Sequence, residues 1–243
     1  MKPTDPQYDF CLAALKQSPF YASLTDEVQR DILTLFRYQR ARKQDTSLML
    51  GGMGHNFYLI VQGRVKVAAN HPDTGREHIL YVLGPGDGFD LISLLDNKRH
   101  DVIATALDDV GVLITPLTQA REWLFEHPDF NRAFLPYIGE QMRQLTEQVV
   151  DLSLYDTETR LAHLILRHIT SNSPVHGLRL INDLSQEALA GIIGSSRVVV
   201  ANHIKHWKKQ GILSGERGHW SVDDLEKLLE KAERQFDISP DEQ

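Results

Sequence analysis

The chain has 243 residues, 42% hydrophobic and 24% charged, enough to build the cores of one large or two modest domains. A formal charge of −7 excludes a general polyanion binder, and a single cysteine, Cys11, excludes a disulfide framework or a thiolate cluster. No apolar run approaches the ~20 residues of a membrane span, and the opening MKPTDPQYDF has no apolar signal core, so a cytoplasmic protein with no membrane partner is expected.

Residues 1–35 read as short helices, the second starting at Thr25 with Asp26 and Glu27 in its first turn. From Arg37 to Pro116 the texture changes to short β-branched and aromatic runs, FYLIVQGRVKVAAN, EHILYVLGPGDGF and DVIATALDDVGVLITP, separated by Gly- and Asp-rich turns. Val65, Val67 and Ala69 alternate with Lys66 and Ala68, a period of two, and strands this short and close predict a roll, barrel or sandwich. QAREWLFEHP is a short helix. DFNRAFLPYIGEQMRQLTEQVVDLSLYD then runs as one long helix, its first turns weakened or kinked by Pro136 and Gly139. Ile138, Met142, Leu145, Val149 and Leu152 recur at spacings of 4, 3, 4 and 3. So narrow a stripe, flanked by Arg, Gln and Glu, favours a dimer seam over an ordinary amphipathic helix lying on the roll.

TETRLAHLILRHI is a further helix, SNSPVHG a linker turn and GLRLIND a short strand. In LSQEALAGIIGSSRVVVANHIKHWKKQGIL, Ser185 caps a helix to about Ile193, Gly194 suits a left-handed turn, and Ser196 caps a second helix that stops at Gly211. Two helices joined by a short Gly-containing turn form a helix-turn-helix. ILSGERGHWSV reads as a hairpin, hence a wing, DDLEKLLEKAERQF as a final exposed helix and DISPDEQ as a disordered acidic tail. The organisation is α+β: a β-roll sensing domain with flanking helices (1–128), a long dimerisation helix (129–155) and a winged helix-turn-helix (156–243).

Ser195 to Arg217 holds five Lys/Arg and one acid, a local +4 that leaves −11 for the remainder. On the second helix Val200, Ile204 and Trp207 share one side and should pack inward. Arg197, Val198, Ala201, Asn202 and Lys205 share the other, the side a recognition helix lays in a major groove. Arg197 can donate twice to guanine O6 and N7, Asn202 can pair with adenine or a phosphate, and Val198 and Ala201 can touch a thymine methyl. Ser195 and Ser196 at the helix start, Lys205, Lys208 and Lys209 further along, and Arg217 and His219 in the wing are candidate phosphate contacts. A basic hairpin inside an enzyme subdomain explains the charges, but it does not explain the hairpin, the wing and the local +4 occurring together.

The pattern Leu184-Ser185…Leu189-Ala190…Gly194-Ser195-Ser196-Arg197…Val200 resembles the helix-turn-helix of the cAMP receptor protein/FNR (Crp/Fnr) family of bacterial transcription regulators. Upstream, Phe57 to Val67 resembles the family's roll strands, Gly84-Pro85-Gly86-Asp87 its turn before the effector cassette, and Asp156 to Ala162 the helix that follows its hinge. The likeness spans about residues 20–222 in the family's order. It implies a homodimer on an inverted repeat of double-stranded DNA, with RNA polymerase as a further candidate partner and no enzymatic activity.

The cassette itself departs from the family. In cAMP-binding members a glutamate meets the ribose and an Arg-Ser pair meets the cyclic phosphate. Here these positions fall at Leu91 and near Asp101 and Val102, and a carboxylate repels a phosphate. Binding of cAMP in the usual way is not expected, and a family-type iron–sulfur cluster needs several cysteines. The implied pocket wall is apolar, with Leu91, Ile92, Leu94 and Leu95 facing Phe134, Ile138, Met142 and Leu145. It suits a small apolar or aromatic ligand, or haem bound through one of His55, His71, His78 or His100. In the recognition helix Val198 stands where many members carry glutamate, and Asn202 where a second arginine is usual.

Two other functions compete. A metal-dependent cupin-like enzyme needs His-x-His ligands, which the chain lacks, and no metal site is expected. A ligand-sensing module for protein interactions predicts no salt-dependent affinity for DNA.

Overall fold

The computed structural model describes residues 1–46, 54–99, 101–170, 180–215 and 220–233. They form two compact units, Met1–Arg143 and Gln144–Gln243, divided within the long helix rather than at either end of it. The expected linker SNSPVHG, the wing tip at 216–219 and the tail DISPDEQ lie outside the described residues.

The first unit begins with helices α1 (Tyr8–Gln17) and α2 (Asp26–Leu35). Thr25 caps α2 as expected, its hydroxyl accepting the Val28 amide at 3.4 Å, with Asp26 and Glu27 favourably placed at the positive end of the helix dipole. Strands β1 (Arg37–Ala41), β2 (Asn56–Gln62), β3 (Val65–Asn70), β4 (Glu77–Leu83), β5 (Gly88–Phe89), β6 (Ile103–Ala106) and β7 (Val110–Pro116) build two antiparallel sheets, in the orders β1-β7-β2-β5 and β4-β3-β6. Tyr58, Ile60, Val112 and Ile114 of the first sheet meet Val65, Val67, Ala104 and Ala106 of the second in one buried cluster, the interior of the roll.

The other face of the first sheet, Phe57, Leu59, Val61 and Leu113, is buried with Leu15, Leu33, Trp123 and Phe134 of the helices and Phe20 of the turn between α1 and α2. A strand covered on both faces has no reason to alternate, which explains the unbroken run FYLIV, whereas β3 keeps a period of two at Val65 and Val67.

Between β5 and β6 lies a short helix, α3 (Leu91–Asp96), where the apolar run LISLL suggested only a pocket wall. Asp90 enters it in the left-handed conformation (φ 68°), accepting Ser93 Oγ at 2.5 Å and the Gly54 amide at 2.9 Å. α4 (Leu117–Glu126) and a 3-10 turn (Pro128–Phe130) lead to α5 (Asn131–Leu154). The 24-residue helix passes through Pro136 and Gly139 without a break. The Tyr137 hydroxyl donates to Asp87 Oδ1 at 3.2 Å while Asp87 Oδ2 accepts the Gly84 amide, so the Gly-Pro-Gly-Asp turn is fastened to α5.

The second unit contains the end of α5, then α6 (Thr157–Thr170), α7 (Gln186–Ile192), α8 (Arg197–Lys209), the paired strands β8 (Leu213–Ser214) and β9 (Ser221–Val222), and α9 (Leu225–Glu233). Two expectations need correction. Within GLRLIND the described residues 180–183 form a 3-10 residue and a turn, closed by the Leu184 amide donating to Ile181 O at 3.2 Å. The buried Ile181 needs one inward position, not a sheet partner. The last helix is not exposed all round: Leu228 and Lys231 are buried, and α9 packs on α6.

Candidate nucleic-acid interface

The helix pair is built as its local chemistry requires. Ser185 Oγ accepts the Ala188 amide at 3.1 Å and Ser196 Oγ the Val199 amide at 3.4 Å, so each helix starts at its serine. Gly194 takes φ 64°, and a Cβ there would stand 2.6 Å from Leu152 Cδ2. The turn therefore needs glycine for both its backbone and its neighbour. Gly211, at φ 70°, ends α8. Arg160 of α6 braces the same turn, its Nη1 donating to Ile193 O at 3.0 Å and its Nε to Tyr155 O at 2.9 Å.

Val200, Ile204 and Trp207 are buried beneath α8. Arg197, Asn202 and Lys205 are exposed, Val198 is 68% exposed, and Ala201 is half-buried. The inward and outward sets thus fall where the 3.6-residue period places them.

The phosphate candidates divide. Ser196, Lys205 and Lys209 are exposed. The Ser195 amide is not free, since it donates to Ala190 O at 2.8 Å. Lys208 turns toward the wing and donates to Gly215 O, so its ammonium already holds the foot of the hairpin. Arg217 and His219 lie outside the described residues. An open groove of about 410 Å³ runs along α8 beside Lys205, Lys208 and Lys209. A second, of about 510 Å³, lies between Arg197, the start of α7 at Ser185–Glu187, and Trp220. Gln186 and Trp220 on these walls escaped the sequence reading. The signal for Gln186 was its place directly after the capping serine, and for Trp220 an aromatic at the base of the wing.

Acidic groups behind this surface are neutralised within the unit. Glu158 accepts Trp207 Nε1 at 2.8 Å and faces Lys231 Nζ at 3.0 Å. Burial pushes its carboxyl up, but these two donors more than offset it and hold it below the usual range. Asp151, buried near the end of α5, meets His163 Nδ1 at 2.7 Å and Arg167 Nη2 at 2.6 Å. It too is held low against the opposing effect of burial. Asp156, whose Oδ1 accepts the Thr159 amide at 2.8 Å, is lowered chiefly by that bond.

Along α5, Leu135, Met142 and Val149 are 61–65% exposed at intervals of seven, with Ile138, Leu145 and Leu152 half-buried between them. Leu135 extends the stripe by one step beyond the sequence reading. Leu152 is turned onto Gly194 of its own chain.

The expected effector-pocket residues are spread over buried, half-buried and exposed positions among the described residues. Leu94 and Phe134 do meet, but within an aromatic core where only about 10 Å³ of free space is left, barely what one water needs. Leu91 and Ile138 pack at the edge of that core. Ile92, Leu95 and Met142 are exposed, Leu145 is half-buried, and His100 lies outside the described residues. A helix forms at 91–96, and its 3.6-residue period sends Ile92 and Leu95 outward while Leu94 turns in. At the positions implicated in cyclic-nucleotide binding, Leu91 is half-buried, Asp101 exposed and Val102 buried, a donor set that does not fit a cyclic phosphate. His55 lies 3.0 Å from the Arg99 guanidinium, and His71 accepts the Asp73 and Thr74 amides. Among the described residues no three His, Cys, Asp or Glu side chains converge as a metal site, and no helix is long and apolar enough to cross a membrane.

The comparisons with known proteins agree with this architecture. A family model described as a cyclic nucleotide-binding domain matches residues 39–127, and one described as a Crp-like helix-turn-helix domain matches residues 159–231. The chain is 28% identical over 184 residues to the "CRP-like cAMP-activated global transcriptional regulator" of Mycobacterium tuberculosis, covering 75% of this chain and 82% of that one. It is 27% identical over 177 residues to the "Global nitrogen regulator" of Synechocystis sp., covering 71% and 78%. Among solved structures, a CooA mutant from Carboxydothermus hydrogenoformans superposes with a TM-score of 0.68 at 25% identity, covering 83% of this chain and 90% of that one. The c-di-GMP responsive global regulator CLP of Xanthomonas campestris shares the fold with a TM-score of 0.68 at 15% identity, covering 82% and 100%.

Proposed function

Since this chain belongs to the Crp/Fnr family of transcription regulators, we propose that it works as a homodimer, laying one α8 helix per copy into the major groove of an inverted repeat, with its roll answering to an effector other than cAMP. The observation that carries the reading is the division of α8: Val200, Ile204 and Trp207 are buried, while Arg197, Val198 and Asn202 are offered to solvent at the head of the helix. Arg197 reads a guanine, Val198 and Ala201 meet a thymine methyl, and Asn202 reads an adenine or a phosphate. Ser196, Lys205 and Lys209 fix the register on the backbone, and Lys208 does so through the wing or directly.

The heptad stripe of α5 supports the dimer. Three large apolar side chains, each more than 60% exposed, gain the area of a partner helix when paired. The inverted repeat then mirrors the two-fold axis. With Leu91 and Asp101 where a cyclic nucleotide needs donors, the effector is a small molecule of other chemistry. It is an apolar or aromatic molecule, or haem. RNA polymerase is the further partner on DNA.

A gel shift with duplexes that the protein itself selects from a randomised pool tests the reading. Selected sites should be inverted repeats, binding should weaken steeply from about 50 to about 200 mM salt, and added cAMP should leave it unchanged. Selection of no common sequence would remove the DNA reading, and a cAMP-dependent gain in affinity would remove the effector assignment.

A further inference from the structure

Beneath α8, Val200 and Ile204 are buried by apolar contacts, which are non-directional. Two contacts are directional. Trp207 Nε1 donates to Glu158 Oε1 at 2.8 Å, and one turn earlier His203 Nε2 meets Thr157 Oγ1 at 3.0 Å. Thr157 and Glu158 are consecutive residues in the first turn of α6, and His203 and Trp207 stand four apart on α8, so the two contacts grip one side of the helix. The same Glu158 oxygen faces Lys231 Nζ of α9 at 3.0 Å, and that lysine side chain is 6% exposed.

A lysine is seldom buried so far, and removing an ammonium from water costs more than a single pair usually returns. Apolar residues of the same volume would hold the three helices together equally well or better. What they would lack is direction. From this we infer that Glu158, its charge balanced by Lys231, is a positioning residue for the DNA-reading helix: it sets the rotation of α8 through the Trp207 indole, and so the aim of Arg197, Val198 and Asn202. The inference rests on the proposed assignment of those three residues to the base edges. Its consequence is separable from stability. Glu158 and Trp207 touch no base, yet they govern how sharply one sequence is told from another.

The test uses the full-length protein, an inverted-repeat duplex selected by the wild type from a randomised pool, and a scrambled duplex of equal length and composition. The triple variant Glu158→Met, Trp207→Phe, Lys231→Met removes the indole donor, the carboxylate and the buried ammonium with little change in total volume, and leaves the Thr157–His203 contact in place. It should melt close to the wild type and bind the scrambled duplex equally well, while its preference for the selected duplex falls about tenfold, the equivalent of one good base contact. The pair Glu158→Gln, Lys231→Met keeps an acceptor for the indole and should keep the preference. Trp207→Phe alone, which retains both charges, should show the same loss and serves if the triple variant does not fold. A triple variant or Trp207→Phe protein with undiminished preference overturns the inference, as does an equal loss in the Gln/Met pair. Arg197→Ala, measured in parallel, separates the two levels: undiminished preference in that variant removes the base-edge assignment instead.

Discussion

Arg197 shows how much a single side chain can carry. It stands in the first turn of α8, exposed, with Val200 and Ile204 buried on the opposite face. A guanidinium so placed can meet both acceptors of a guanine, and truncating it to alanine should cost about 1–3 kcal/mol at one base pair and relax the requirement there. Affinities against duplexes substituted position by position give the answer, and a mutant with an unchanged profile would mean that α8 meets DNA by another side. Gly194 illustrates the limits of a sequence at this scale. Its left-handed turn was readable from its place between two capped helices, but its contact with Leu152, forty-two residues earlier, was not. Chain-distant contacts leave no local periodicity to detect.

Among the elements, the last turns of α5 have a second task besides the proposed seam. Asp151 binds them to α6 through His163 and Arg167, and Arg167 also reaches Glu147 at 3.7 Å. The Asp151 carboxyl is held below its ordinary value in the folded chain. Its contribution is therefore complete above the ordinary carboxylate range and fades as the pH falls through that range toward the depressed value. Asp151→Asn should lower the unfolding free energy at pH 7 by about 1–3 kcal/mol, because Arg167 loses its carboxylate at 2.6 Å and keeps the more distant Glu147. Urea unfolding repeated below about pH 4 should find wild type and variant drawing together. A gap that is constant across this span would show that the ion pair has no part in the difference. The heptad itself was visible in the sequence because period 3.5 is a local property, whereas the ion pair joins residues 12 and 16 apart across a helix boundary.

At the level of the whole molecule, the proposed regulator depends on two readers acting together. Met142 and Val149 are 65% and 61% exposed in the chain, and a charge at either place opposes burial against a second copy. Met142→Glu should sediment as a monomer at micromolar concentration and lose roughly 100-fold or more in affinity for the inverted repeat, because the second half-site then binds without the benefit of linkage. Melting of each unit should be little changed. A Met142→Glu protein that remains dimeric with full affinity would place the seam elsewhere.

The amino-acid sequence alone determined the order of roll, long helix and winged helix-turn-helix, and the two faces of α8. These rest on short-range rules: alternation in strands, a 3.6-residue period in helices, serine caps and a left-handed glycine. Tertiary structure decided what depends on which surfaces meet. FYLIV is buried on both faces because helices cover the outer side of its sheet. Ile92 and Leu95 point outward because LISLL coils into a helix. Lys208 is drawn to the wing, and Lys231 is buried beside Glu158. Burial and charge pairing are properties of neighbours brought together across the chain, and no local pattern encodes them.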